Sequence, residues 1–120
     1  MDKVNLAEKL ARITEHWRPK IVAELNGQEV KLVKCRGEFV WHHHDREDEL
    51  FLVIRGLLRV EFPDRVVELG PGEMVVVPHG VEHRTVAPGE AEVLLFEPAN
   101  LRNTGNVEHG ALTAPNGVRL

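Results

Sequence analysis

Three consecutive histidines, His42, His43 and His44, stand in the stretch 37–56, GEFVWHHHDREDELFLVIRG, between two runs of strand composition. Residues two apart on a pleated strand leave the same face, so His42 and His44 on a strand would present a pair of imidazoles to whatever that face covers. Glu49 heads the apolar run LFLVI, from which an antiparallel strand would return its carboxylate toward that pair. Further on, VPHGVEHRTV supplies His83 after a Pro and Gly turn. Three nitrogens and one oxygen converging inside a barrel form a divalent metal site. Such a set suits Fe(II), Mn(II), Ni(II), Cu(II) or Zn(II) and leaves one or two positions for water or substrate on a five- or six-coordinate ion. An open position lets the ion polarise a carbonyl, bind dioxygen or lower the pKa of a water.

Composition bounds what must position these groups. A chain of 120 residues can bury a core without staples and reads as one domain. A net charge of −4 leaves no basic footprint for nucleic acid and no polybasic stretch for a membrane surface. The one cysteine, Cys35, excludes an internal disulfide and a cysteine-based zinc cluster. No apolar run approaches the roughly 18 residues of a membrane span. A soluble cytoplasmic protein is the expectation.

The spacing of Leu6, Leu10, Ile13 and Trp17 predicts a helix over residues 5–17, with Asn5 as its cap, Glu8 three residues on and Pro19 forbidding continuation. From Lys20 onward short strands alternate with turn signals. IVAEL and EVKLVKC flank Asn26-Gly27 as a hairpin, and EFVWHHH follows as the histidine-bearing strand. Then come ELFLVIR, LLRVEF, RVVEL, EMVVVP, HRTVA and AEVLLFEP, with turns expected at Pro63-Asp64, residues 70–72 and Pro88-Gly89. About eight short strands predict an all-β sandwich or barrel. We expect one domain over 1–120: an N-terminal helix and lead-in at 1–19, a barrel at 20–98, and a tail at 99–120 that is an irregular wrap or partly disordered, with at most one short strand. Residues 49–55 are apolar on both faces, so either the helix or a second subunit covers the outside; a homodimer is expected.

With these pieces placed, the chain resembles a small single-domain cupin, a family of double-stranded β-helix or jelly-roll barrels. The family's first motif is glycine, His-x-His, three or four residues, Glu, six residues and glycine; here it stands as Gly37, His42-His43-His44, Glu49 and Gly56. The second, Pro-x-Gly-x-x-His, stands as Pro78-His79-Gly80-Val81-Glu82-His83. The resemblance covers residues 30–98 and implies His42, His44, Glu49 and His83 as metal ligands. Two departures are visible. Only four residues separate Gly37 from His42, where the family has five, and Ala87 stands where the second motif closes on Asn.

The remaining candidates carry less. His43 alternates to the other face and is expected to be solvated or at a dimer contact. His79 lies in a turn, and His16 and His109 have no positional argument. Asp45, Arg46, Glu47 and Asp48 read as a solvated loop, Trp41 as packing and Cys35 as a small apolar filler. Val40, Phe51, Val53, Thr85 and Ala87, with Met74 and Val76 or Val75 and Val77, are in phase to line the pocket, and no in-phase base besides Glu49 is seen. A mainly apolar lining favours a small apolar or aromatic molecule that chelates the ion through one or two oxygens. The expected function is a small-molecule metalloenzyme of oxygenase, isomerase or lyase type. The alternative is a non-catalytic cupin that binds or senses a small ligand or metal.

Overall fold

The computed structural model describes residues 1–120. The chain forms one short helix, α1 (Leu6–Ala11), then β1 (Lys20–Leu25), β2 (Gln28–Glu38), β3 (Glu49–Arg55), β4 (Leu58–Phe62), β5 (Arg65–Leu69), β6 (Met74–Val77) and β7 (Arg84–Pro98). No helix is long and apolar enough to cross a membrane.

Asn5 caps α1 as its residue type favours, its side chain accepting from the Glu8 amide at 2.9 Å. The helix stops at Ala11, well short of residue 17. The reason is tertiary. Trp17 adopts φ 61, which no helix contains, because its amide donates to Lys34 O at 2.8 Å and its indole Nε1 to Arg36 O at 3.0 Å. Those bonds draw the lead-in onto β2 at the expense of further helical turns. The apolar period still does its work: Leu10 and Ile13 pack on Leu32 of β2.

Asn26 and Gly27 both take positive φ, as a two-residue hairpin turn between right-twisted strands requires, and they join β1 to β2. The strands pair antiparallel in the order β1-β2-β7-β3-β6, while β4 pairs with β5 and with β7. This antiparallel, mostly-β architecture of seven strands is the barrel type expected from the strand pattern. The expected turn at Pro88-Gly89 is absent, and β7 runs through it. Its partner register passes from Cys35↔Ala91 to Gly37↔Ala87, so Pro88, Gly89 and Glu90 oppose the single residue Arg36 as a bulge. Proline is tolerated there because a bulged residue donates no ladder bond. The motif glycine Gly56 belongs to the same feature: at φ 86, a Cβ on it would lie 2.5 Å from Glu90 O.

Inward residues of both sheet halves build the barrel core, in which Val53, Leu58, Val60 and Val93 are fully buried. Each such side chain contributes roughly 1.5–3 kcal/mol relative to exposure. Outward residues form two apolar cross-strand rows, Val30–Phe96–Leu50–Val76 and Leu32–Leu94–Leu52–Met74. Helix α1 covers the Leu32–Leu94 end, while Met74 and Val76 on the edge strand β6 stay exposed. The tail beyond β7 is turns, with one bridge from Arg119 to Ile21. It is nonetheless packed: Leu101, Thr104 and Ala114 are buried, and Asn103 Nδ2 donates to Trp17 O and Leu112 O.

Candidate metal centre

β2 ends at Glu38, so the segment that carries the histidines is not the regular strand expected. It is held by single contacts instead. The His42 amide donates to His83 O and the His83 amide to His42 O, both at 2.9 Å, and the Gly80 amide donates to His44 O at 2.7 Å. These bonds keep the extended spacing that turns His42 and His44 inward. Glu49 opens β3 opposite Val77, and its Oε1 lies 3.3 Å from His44 Nε2 and 3.6 Å from His83 Nε2.

The structure thus brings together His42, His44, Glu49 and His83, each buried, with candidate ligand atoms within 4.8 Å of one another. Two rings share one local device: Nδ1 of His42 lies 2.8 Å from Val40 O and Nδ1 of His83 lies 2.8 Å from Val81 O. A carbonyl only accepts, so each Nδ1 carries the proton and each Nε2 offers a lone pair to the centre. His42 Nε2, His44 Nδ1 and Nε2, Glu49 Oε1 and His83 Nε2 are buried without a hydrogen-bond partner. Leaving that many buried polar atoms unpaired costs about 1–3 kcal/mol each. A divalent cation at their focus would satisfy most of them together, and the donor set of imidazoles and a carboxylate is the right chemistry for one.

The electrostatics agree. Burial, then the neighbouring His83, lowers the His42 pKa to about 4, so this ring is neutral and ready to ligate at ordinary pH. Burial would raise Glu49, but the His44 and His83 rings at 3.3 and 3.6 Å, with Glu97 beside them, outweigh it and hold the carboxyl well below the usual range. Glu97, near the end of β7, is buried beside Glu49, and burial followed by the Glu49 charge pushes its carboxyl well above the usual range. Its phase with Val93 and Leu95 was the available signal; a charged residue at a strand end passes for a surface one.

The other histidines point away. His43 meets Glu82 through Nδ1 at 3.0 Å and Asp45 through Nε2 at 2.9 Å, and those bonds raise its pKa. His79 pairs with Asp48 at 2.8 Å on the surface. Trp41 is partly exposed under the Arg84 guanidinium, which lies 5.4 Å from its ring centre.

A cavity of about 40 Å³ adjoins His42 and Glu49, with walls from Trp17, Val33, Cys35, Phe39, Phe51, Leu58, Thr85, Val93 and Leu95. That is room for roughly three waters. Of the lining expected from phase, Phe51 and Thr85 are present, whereas Met74 and Val76 face outward. Trp17 and Phe39 come from irregular segments and stack at 4.7 Å, with Phe39 edge-on to His42 at 5.5 Å. An open cleft lined by Asp45, Arg46, Glu47, Arg102 and Asn106 reaches His44 from the surface.

A family model described as "Cupin domain" matches residues 24–97. Among solved structures, the chain is similar to a cupin-2 domain containing protein from Shewanella frigidimarina NCIMB 400, with 43% identity, a TM-score of 0.78 and coverage of 79% of this chain and 93% of that one. It is also similar to protein NMB1881 from Neisseria meningitidis, at 33% identity and TM-score 0.75, over 82% of this chain and 100% of the other. A stretch of 65 residues is 38% identical to the uncharacterized protein YdbB of Bacillus subtilis (strain 168), covering 53% of this chain and 58% of that relative, less than two thirds of its length.

Proposed function

Because the chain belongs to the cupin domain family, we propose that His42, His44, Glu49 and His83 ligate one divalent ion, Fe, Mn, Ni, Cu or Zn, and that the site serves a small-molecule metalloenzyme. The observation that carries this reading is the convergence of buried, unpartnered ligand atoms on one point. A divalent ion there supplies Lewis-acid activation of a substrate oxygen or, if redox-active, electron exchange with dioxygen.

The chain's own residues set what reaches that chemistry. Val40 O and Val81 O fix the tautomers of His42 and His83. Trp17, Phe39, Phe51, Val93 and Leu95 exclude water and fit an apolar body, and Thr85 is the one hydroxyl in that wall. Cys35 also faces the cavity, but burial pushes its thiol far up, which removes it as a nucleophile near neutral pH. With no free base in the wall, chemistry centred on the ion is favoured over side-chain acid–base catalysis, in the oxygenase, isomerase or lyase class. The small cavity suits a compact apolar or aromatic ligand whose oxygens meet the ion.

A cytoplasmic location and a homodimer complete the reading. The unpaired Cys35 supports the first, and exposed Met74 and Val76 on an open sheet edge support the second.

The test is a screen of protein loaded separately with each of these metals against small catechols, thiols and diketones. Turnover of one of them is expected, seen for the Fe(II) form as oxygen uptake. Calorimetric binding of such compounds with no turnover by any metal form would favour the non-catalytic binding or sensing cupin.

A further inference from the structure

Beside Glu49 lies a set of charged side chains that metal ligation alone does not use. Glu29 stands directly opposite Glu97 between β2 and β7. The register that sets Phe96 opposite Leu50 continues to place Glu97 beside Glu49 on β3. The three carboxyls therefore form one inward row across β2, β7 and β3. Lys31, two residues along β2 from Glu29, sends its ammonium to 3.0 Å from Glu97 Oε1 and 3.5 Å from Glu29 Oε1. Exposure is 5% for Glu29, 5% for Lys31, 2% for Glu97 and 4% for Glu49, so the whole set is inside the barrel.

Such a set is a poor way to stabilise a core. Buried ion pairs are often no better than apolar residues of the same volume, because desolvation offsets the attraction. The row makes better sense as support for the carboxylate at its end. Glu49 Oε1 faces His44 and His83, and Glu97, opposite Glu49 across the β7–β3 register, keeps its Oε2 buried with no partner of its own. Ligating carboxylates are commonly oriented by a hydrogen bond from behind, which also tunes their strength as ligands.

We propose that Glu97, itself anchored by Lys31, is the positioning residue that aims the Glu49 carboxylate at the cation. The inference rests on the metal reading above. It makes Glu97 neither a ligand nor a reacting group, and it assigns Lys31 and Glu29 to the shell that holds Glu97 in place.

Chelator-treated protein titrated with Co(II) alone tests this, with affinity from calorimetry and coordination from the visible Co(II) spectrum. Glu97→Ala should weaken Co(II) binding by roughly 10–100-fold and alter the spectrum. Glu97→Gln should stay near the wild type, because its amide donates to Glu49 and its carbonyl accepts from Lys31. Glu97→Asp, one methylene shorter, should behave as Glu97→Ala does and replaces it if Glu97→Ala does not fold. A Glu97→Ala or Glu97→Asp protein with wild-type affinity and spectrum would overturn the role of Glu97 and leave the metal site standing. A wild type that takes up no Co(II) would overturn the metal reading and this inference with it.

Discussion

The backbones of His42 and His83 hydrogen-bond to each other in both directions, at 2.9 Å each way, although neither residue lies in a regular strand. This isolated bridge spans two irregular segments that are far apart in the chain and sets their rings 4.5 Å apart between centres. The main chain, more than any side-chain contact, thus places two of the four candidate ligands. The site should therefore survive loss of its own imidazoles as a shape, though not as a binding site.

The double substitution His42→Ala with His44→Ala should abolish divalent metal binding and keep the β-sheet circular dichroism of the wild type. The core that carries the barrel, including Val53, Leu58, Val60 and Val93, is untouched. A stability loss of roughly 1–3 kcal/mol is expected from the space left by the rings. Collapse of the dichroism signal would show that the centre is a structural requirement.

Gly105 ties the tail to the site. A Cβ on it would overlap the His43 carbonyl oxygen and lie 2.9 Å from His42 Cδ2, and its φ is +56. Gly105→Ala should therefore cost about 1–3 kcal/mol in urea denaturation and weaken metal binding by displacing the His42 ring. Retention of full stability and affinity would show that the tail adapts.

His42 should also give the metal-free protein a particular pH response. Its folded pKa is lowered from 6.5 to about 4, so between these values the unfolded chain takes up a proton that the folded one refuses. Acidification through this window favours unfolding, and the His42 contribution is lost as pH falls. The full difference is worth about 3 kcal/mol. Glu97, raised by burial, has the opposite dependence above its unfolded value, so His42 must be isolated by comparison. The stability of the wild type relative to His42→Asn should fall as pH drops from 6.5 to about 4; a constant difference would contradict a buried neutral ring.

Much of this molecule was legible in its residue order, and the gaps have physical causes. The period of two in β3 and β7 and the Asn26-Gly27 turn are local signals that the fold keeps, because packing and propensity agree there. The close grouping of His42, His44, Glu49 and His83 follows from spacing together with antiparallel return. The helix is shorter than its apolar period predicts because bonds from Trp17 to β2 compete with its last turns. Pro88-Gly89 has turn composition but sits in a bulge, which demands the same residues. Gly105 and Asn103 gave no sign of their roles, since the tail has no periodicity and its contacts, to His42 and to Trp17, are remote in the chain.

Metal analysis of the purified protein, expressed in medium containing iron, manganese, nickel, copper and zinc, tests the central claim most directly. About one divalent ion per chain is expected, and close to none in the His42→Ala, His44→Ala double variant. A wild type without bound metal, or a double variant that keeps its ion, would contradict the account.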